Sequence, residues 1–158
     1  MQEARIDHSE LDQLVEKLAK APRVLKEAKR EAFETAAPRL LSAVQYEIGG
    51  SGKVRSWQEK YVGSKGGYAA ARPKKETWTE ATKKKGNRYA VGYVTNAINN
   101  GHRFPAPSGR AGYKPKILNG GMTVPGKHFY QRAQAQAGQV AQDAADQIVQ
   151  AIIDHLEE

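Results

Sequence analysis

Apolar residues recur at helical spacing near both ends of this chain, while glycine and proline deny that spacing to most of the middle. Long helices must therefore come from the ends, and short strands and loops from the centre. Leu11, Leu14, Val15 and Leu18 form one stripe. Ser9, with Asp12 three residues on, suits a capping-box-like start, so a helix is predicted over Ser9–Lys20. Pro22 is expected to stop it and to open a second helix. That helix runs from about Arg23 to Glu47, with Leu25, Ala28, Ala32, Phe33, Ala36, Leu40, Val44 and Ile48 on its apolar face. Pro38 removes one backbone donor, so a kink or break is expected nearby. The last helix begins at Lys127 or His128. Its stripe of Phe129, Ala133, Ala137, Val140, Ala144, Ile148, Ile152 and Leu156 is mostly alanine first and bulky later. The small residues allow close approach to a sheet or a second helix. The bulky end is expected against the second helix or a neighbouring subunit.

The clearest strand pattern is Tyr89–Asn96, where Tyr89, Val91, Tyr93 and Thr95 alternate with Ala90, Gly92, Val94 and Asn96. Glu76–Lys83 also alternates, and Lys84-Lys85-Gly86-Asn87 turns between the two, so the pair reads as an antiparallel hairpin. Val54–Val62 reads as a short strand or a helical turn, and Tyr68–Arg72 as a short strand ended by Pro73. Gly49 to Lys53 reads as a helix C-cap and loop. It is not a phosphate-binding loop, because a helix precedes it, Glu47 takes the first glycine position and Val54 follows the lysine. From Gly101 to Gly126 periodicity is lost, except for a short strand or hairpin drawn from Ile117, Leu118, Met122 and Val124. A loop of that length has a function or lacks order.

The formal net charge of +8 is unevenly placed. Residues 1–48 carry 8 Lys/Arg against 9 Asp/Glu, residues 49–129 carry 16 against 3, and residues 130–158 carry 1 against 5. The basic middle suggests an anionic partner, either nucleic acid or an acidic protein surface. Its candidate contact residues are Lys53, Arg55, Lys65, Lys83, Lys84, Lys85, Arg88, Arg103, Arg110, Lys114 and Lys116. The plain alternative is a solvated surface, with the lysines at the hairpin tip guarding a sheet edge.

Chemistry is harder to find. With no cysteine among 158 residues, disulfides, thiolate metal sites and thiol catalysis are excluded. His8, His102, His128 and His155 lack metal-ligand spacing. Glu59, Glu76 and Glu80 make no acid–base pair in the basic middle, and no serine has a nucleophile-elbow context. An enzyme is not expected, nor a cofactor. No segment reads as a membrane span or a secretory signal, and the absence of cysteine fits a reducing cytoplasm. The length suits one domain over residues 1–158, helical over 9–48, loop and sheet over 49–126, and helical again over 127–157.

Tyr-Ala-Val-Gly-Tyr-Val-Thr-Asn, then Ala-Ile-Asn-Asn-Gly-His, a variable loop, Val-Pro-Gly-Lys-His-Phe and an alanine-rich last helix together resemble a phage family. These are the minor tail proteins of long-tailed phages, also described as tail-completion or head–tail joining proteins. The resemblance lies mainly in Tyr89–Leu156. It implies an α+β fold, with a small, mostly antiparallel sheet packed by long N-terminal and C-terminal helices and two long Gly-rich basic loops. It also implies a non-enzymatic structural role in the virion neck or tail terminus, after assembly in the host cytoplasm. The implied partners are further copies of the chain in a ring, often of six subunits, and head connector and tail tube proteins. In such a ring the charge of the middle segment leads us to expect the basic loops against packaged DNA or an acidic connector surface. The alternative from the residues alone is a basic nucleic-acid-binding module: Lys83, Lys84, Lys85 and Arg88 lie near Trp78 and Tyr89, a mixture single-strand binders use.

Overall fold

The computed structural model describes residues 9–81, 86–103 and 123–157. Its fold is α+β, with two long helices from the ends of the chain and two small antiparallel ribbons from the middle. Helix α1 (Ser9–Ile48) is continuous over 40 residues, about 60 Å at 1.5 Å per residue. The division expected at Pro22 does not occur, and Pro38 also lies inside the helix. A proline leaves the carbonyl four residues earlier without its donor. Pro22 is exposed, so water can serve the carbonyl it leaves, and packing on either side of both prolines holds the helix together. Gly49 ends α1 as expected, with φ +68° and its N–H donated to the Tyr46 carbonyl at 3.0 Å.

Helix α4 (Phe129–Glu157) runs antiparallel along α1. Arg132 pairs with Glu47 at 2.7 Å near one end. Arg39 meets Asp143 at 2.6 Å further along, and Lys17 donates to the Leu156 carbonyl at 3.1 Å near the other end. The seam between them is made of small residues. Ala32, Ala36, Val140 and Ala144 form one buried cluster, and Ala43, Val44, Phe129 and Ala133 form a second. Side chains this short let the two helix axes come close.

After Gly49 the chain makes a single helical turn, α2 (Lys53–Ser56), and then strand β1 (Gln58–Val62). Val54–Val62, which read as strand or helical turn, is thus both in succession. Strand β2 (Ala69–Pro73) returns antiparallel, with Gln58 opposite Pro73 and Val62 opposite Ala69. The ribbon lies on the helix pair through Ala69 and Ala71. At its tip Gly66 has φ +61°, and a β-carbon there would come within 3.2 Å of the Arg30 side chain, so the turn presses directly on α1.

The predicted strand over Tyr89–Asn96 is corrected. Only its first residues pair: Trp78 faces Ala90 in an isolated antiparallel bridge, flanked by Thr79 N–H to Tyr89 O at 2.8 Å and Val91 N–H to Thr77 O at 2.9 Å. From there the chain becomes helix α3 (Val91–Asn100). Val91, Thr95 and Asn99 are its buried residues, one helical turn apart at each step. The same residues satisfy the two-residue period over a short window, but only the helix sends all three to one face. The hairpin expected from Glu76 to Asn96 is therefore reduced to one bridge, and its tip falls in residues 82–85, outside the described residues. Strands β3 (Gly101–Arg103) and β4 (Thr123–Pro125) then pair antiparallel, with His102 opposite Val124. Of the strand or hairpin expected from Ile117, Leu118, Met122 and Val124, Val124 lies in β4, and the other three lie outside the described residues.

Candidate functional site

Three features of this fold are placed to act: a clasp where α3 and β3 meet β4 and the start of α4, a basic ribbon, and a bare arm at the far end of the helix pair.

The clasp joins the two stretches that carry the family resemblance. Asn99 Oδ1 accepts the Tyr130 backbone N–H at 3.0 Å, serving one of the free donors at the start of α4. The Asn99 and Ile98 carbonyls accept the N–H groups of His128 and Lys127, each at 2.9 Å. Gly101, at φ +81°, crosses Gly126 so closely that a β-carbon on Gly101 would lie 2.5 Å from the Val124 carbonyl oxygen. A β-carbon on Gly126 would lie 2.5 Å from the Asn99 carbonyl oxygen. Neither position has room for a side chain. Phe129 is buried directly behind. Asn-Asn-Gly-His and Pro-Gly-Lys-His-Phe are thus the two sides of one junction, extended by the paired strands β3 and β4. Beside it, the Tyr130 hydroxyl donates to buried Gln58 Oε1 at 2.5 Å, while Gln58 Nε2 donates to the Val54 carbonyl at 2.9 Å. Burial pushes the Tyr130 phenol up to about 12.

The candidate basic residues are only partly brought together. Lys53 is engaged by Glu80 at 2.9 Å, on the surface. Arg55 donates to the Gly50 carbonyl at 2.9 Å and ties its own loop down. Lys65, at the tip of the β1–β2 turn, stands across a cleft of about 550 Å³ from Lys26, Arg30 and Glu34 of α1. Glu34 is paired with Arg30 at 2.9 Å. Arg88 and Arg103 are exposed, the first beside the Trp78–Ala90 bridge and the second in β3. Lys83, Lys84, Lys85, Arg110, Lys114 and Lys116 lie outside the described residues. Arg72 was not among the candidates; it lies over the Tyr61 ring at 3.5 Å and pairs with Glu59 at 3.0 Å. The segment around the bridge carries three exposed aromatics, Trp78, Tyr89 and Tyr93, the last 70% exposed.

The arm is the half of the α1–α4 pair that extends beyond the sheet, and it holds the bulky end of the last helix that is expected against the second helix or a neighbouring subunit. Leu14, Val15, Leu18 and Leu25 of α1, and Val149 and Ile153 of α4, are exposed there, Val15, Leu18 and Val149 by more than half. Leu14, Leu18 and Leu25 fall on one face of α1, and Val149 and Ile153 sit one turn apart on α4. Seven of the eleven fully buried apolar residues among those described are alanine. Large apolar side chains outside and small ones inside reverse the usual order. The arm is held closed by the Lys17–Leu156 bond and by His155 Nε2, 3.0 Å from the Lys17 carbonyl.

Among the described residues no group of three His, Cys, Asp or Glu could hold a metal ion, and no helix is long and apolar enough to cross a membrane. No protein-family model matches the chain, and no curated protein or solved structure matches it either.

Proposed function

We propose that this chain is a structural subunit of a bacteriophage neck or tail terminus, acting in tail completion and head–tail joining. In this reading it forms a ring with its own copies, between head connector and tail tube proteins, and works through interfaces, without chemistry. The observation that carries the reading is the bare arm: a row of large aliphatic side chains that the described residues leave uncovered. Large aliphatic side chains gathered on one face of α1 and left exposed suit an interaction site. The clasp adds support, because the two stretches that resemble the tail-completion family meet in space. The family's implied frame of long terminal helices around small antiparallel pairing is also the fold found.

A second reading is a nucleic-acid-binding module, favoured by exposed Trp78 and Tyr89 beside Arg88. Single-strand binders stack bases on such rings. The two readings part in one experiment. Purified protein is taken through a concentration series by size separation with light scattering, with and without DNA, and any large species is imaged by electron microscopy. A ring that forms without DNA is expected. A persistent monomer whose DNA binding falls steeply with salt would replace the first reading with the second. In a phage whose genome encodes this chain, its loss should leave filled heads and tails unjoined. Normal virions lacking the chain would overturn the proposal.

A further inference from the structure

We propose that the cleft between α1 and the β1–β2 turn is a binding site for a phosphate group. The cleft holds about 550 Å³, within the range of small-ligand sites. One wall is a single face of α1, where Lys26, Arg30 and Glu34 follow one another at four-residue spacing. The other is the turn, with exposed Ser64 and Lys65 at its tip. Among the described residues that line the cleft, only Val62 has an apolar side chain, so the lining suits a polar ligand. Such a site would serve this fold whether or not the chain forms a ring.

The charge of the lining calls for an anion. Lys26, Arg30 and Lys65 stand against Glu34, a net of +2. Lys26 and Lys65 make no ion pair among the described residues. Glu34 Oε1 accepts from Arg30 Nε at 2.9 Å. The two terminal nitrogens of Arg30 have no partner among the described residues, and they carry donors of the kind that fits phosphate oxygens. Nearby charges do not cancel the lining. Arg23 and Glu27, one turn before it, neutralise each other at 3.0 Å, and Glu31 lines a different cleft, against α4.

Geometry favours phosphate over carboxylate. The β-carbon that Gly66 lacks would lie 3.2 Å from the Arg30 side chain, so the turn sits directly on α1 and holds Lys65 across from Lys26 and Arg30. Gly66 N–H donates to the Gly63 carbonyl at 2.7 Å, and Gly63 N–H to the Tyr68 carbonyl at 2.9 Å, which closes the turn. The Ser64 hydroxyl and the N–H groups of Ser64 and Lys65 make no hydrogen bond among the described residues. Donors therefore stand on both walls. A carboxylate presents two oxygens in one plane, which a single guanidinium satisfies. A tetrahedral phosphate turns oxygens to both walls at once. Two sources carry such a group, a nucleic-acid backbone and a free polyphosphate.

Two variants of the full chain test this. The first carries Lys26→Gln and Lys65→Gln. The second carries Lys29→Gln and Lys60→Gln, which removes the same charge from exposed residues outside the cleft. Circular dichroism would check that both fold. Amide NMR follows titration with inorganic pyrophosphate and, separately, with a short duplex DNA, each against sodium chloride of matched ionic strength. Pyrophosphate should shift the amides of 26–34 and 63–67. The first variant should bind it about tenfold more weakly, and the second within about twofold of the wild type. Where a nucleic-acid backbone is the source, DNA should shift the same amides, and the slope of log K against log salt should shrink by about 2 in the first variant. A wild type that responds to neither phosphate probe would overturn the proposal. So would shifts spread over the whole basic surface, or equal weakening in both variants, which would mean general charge attraction. An oligoglutamate peptide that shifts these amides when neither phosphate probe does would overturn it too, and would assign the cleft to an acidic protein.

Discussion

The two halves of the α1–α4 pair obey opposite packing rules. In the half that bears the sheet, Ala32, Ala36 and Ala43 of α1 face Ala133, Val140 and Ala144 of α4, all buried. The β1–β2 ribbon covers the flank of that seam through Ala69 and Ala71. In the other half the helices continue, but the ribbon does not. Leu14, Leu18, Leu25, Val149 and Ile153 occupy the flank there and remain exposed. The alanine seam sets how closely the helices run, so bulky residues cannot fit between them and must lie beside the seam. Among the described residues the chain supplies a cover at one end and none at the other. On the function proposed above, a second copy of the chain supplies the missing cover.

The comparison can be broken most sharply at Phe129, which is 1% exposed. Phe129→Ala should cost about 3–5 kcal/mol in denaturant unfolding; a cost under about 1 kcal/mol would mean that the covered half is not the stable core. Next comes the seam. Ala36→Leu forces bulk between helices already in contact and should destabilise by about 1–3 kcal/mol, whereas the same exchange at exposed Ala145 should be nearly neutral.

Pro22→Ala acts on the arm's backbone. It restores a helix donor at an exposed position and should raise stability by up to about 3 kcal/mol, visible as a higher unfolding midpoint. Tyr130→Phe leaves buried Gln58 Oε1 without its donor and should cost about 1–2 kcal/mol. It should also change the alkaline limit. The native phenol holds its proton up to about 12, while the unfolded one loses it near 10. The resulting stability is present below pH 10 and is lost as pH rises through about 12. The Phe variant should lack that alkaline loss. The smallest effect belongs to the arm: Leu18→Ala, at a residue already 53% exposed, should change monomer stability by less than about 1 kcal/mol. A large loss there, measured in dilute protein, would show that the arm is already packed.

Much of this fold was legible in the sequence. The terminal helices declared themselves by periodicity, Gly49 by its place as a C-cap, and Tyr68–Arg72 by the proline that follows. Two readings failed for physical reasons. Pro22 has the local chemistry of a helix boundary, but the α1–α4 packing lies on both sides of it and acts through residues far away in the chain. Val91, Thr95 and Asn99 fit both periods, and β propensity alone preferred the strand. The run through Ala97-Ile98-Asn99, which continues the four-residue spacing past the end of the alternation, was the signal for a helix. The clasp was visible only as an unusual pair of motifs. That Gly101 and Gly126 must cross is a fact of tertiary structure, which no local pattern encodes. The exposure of the arm was hidden for the same reason, since an apolar stripe looks alike whether this chain or a second one covers it.

Hydrogen exchange measured at low and high protein concentration tests the central claim most directly. In dilute protein, amides at 12–25 and 147–157 should exchange much faster than those at 32–44 and 133–144. At high concentration the arm amides should slow, with the same midpoint as self-association. Arm amides that are as slow as the rest when dilute, or that do not respond to concentration while the chain assembles, would contradict the account.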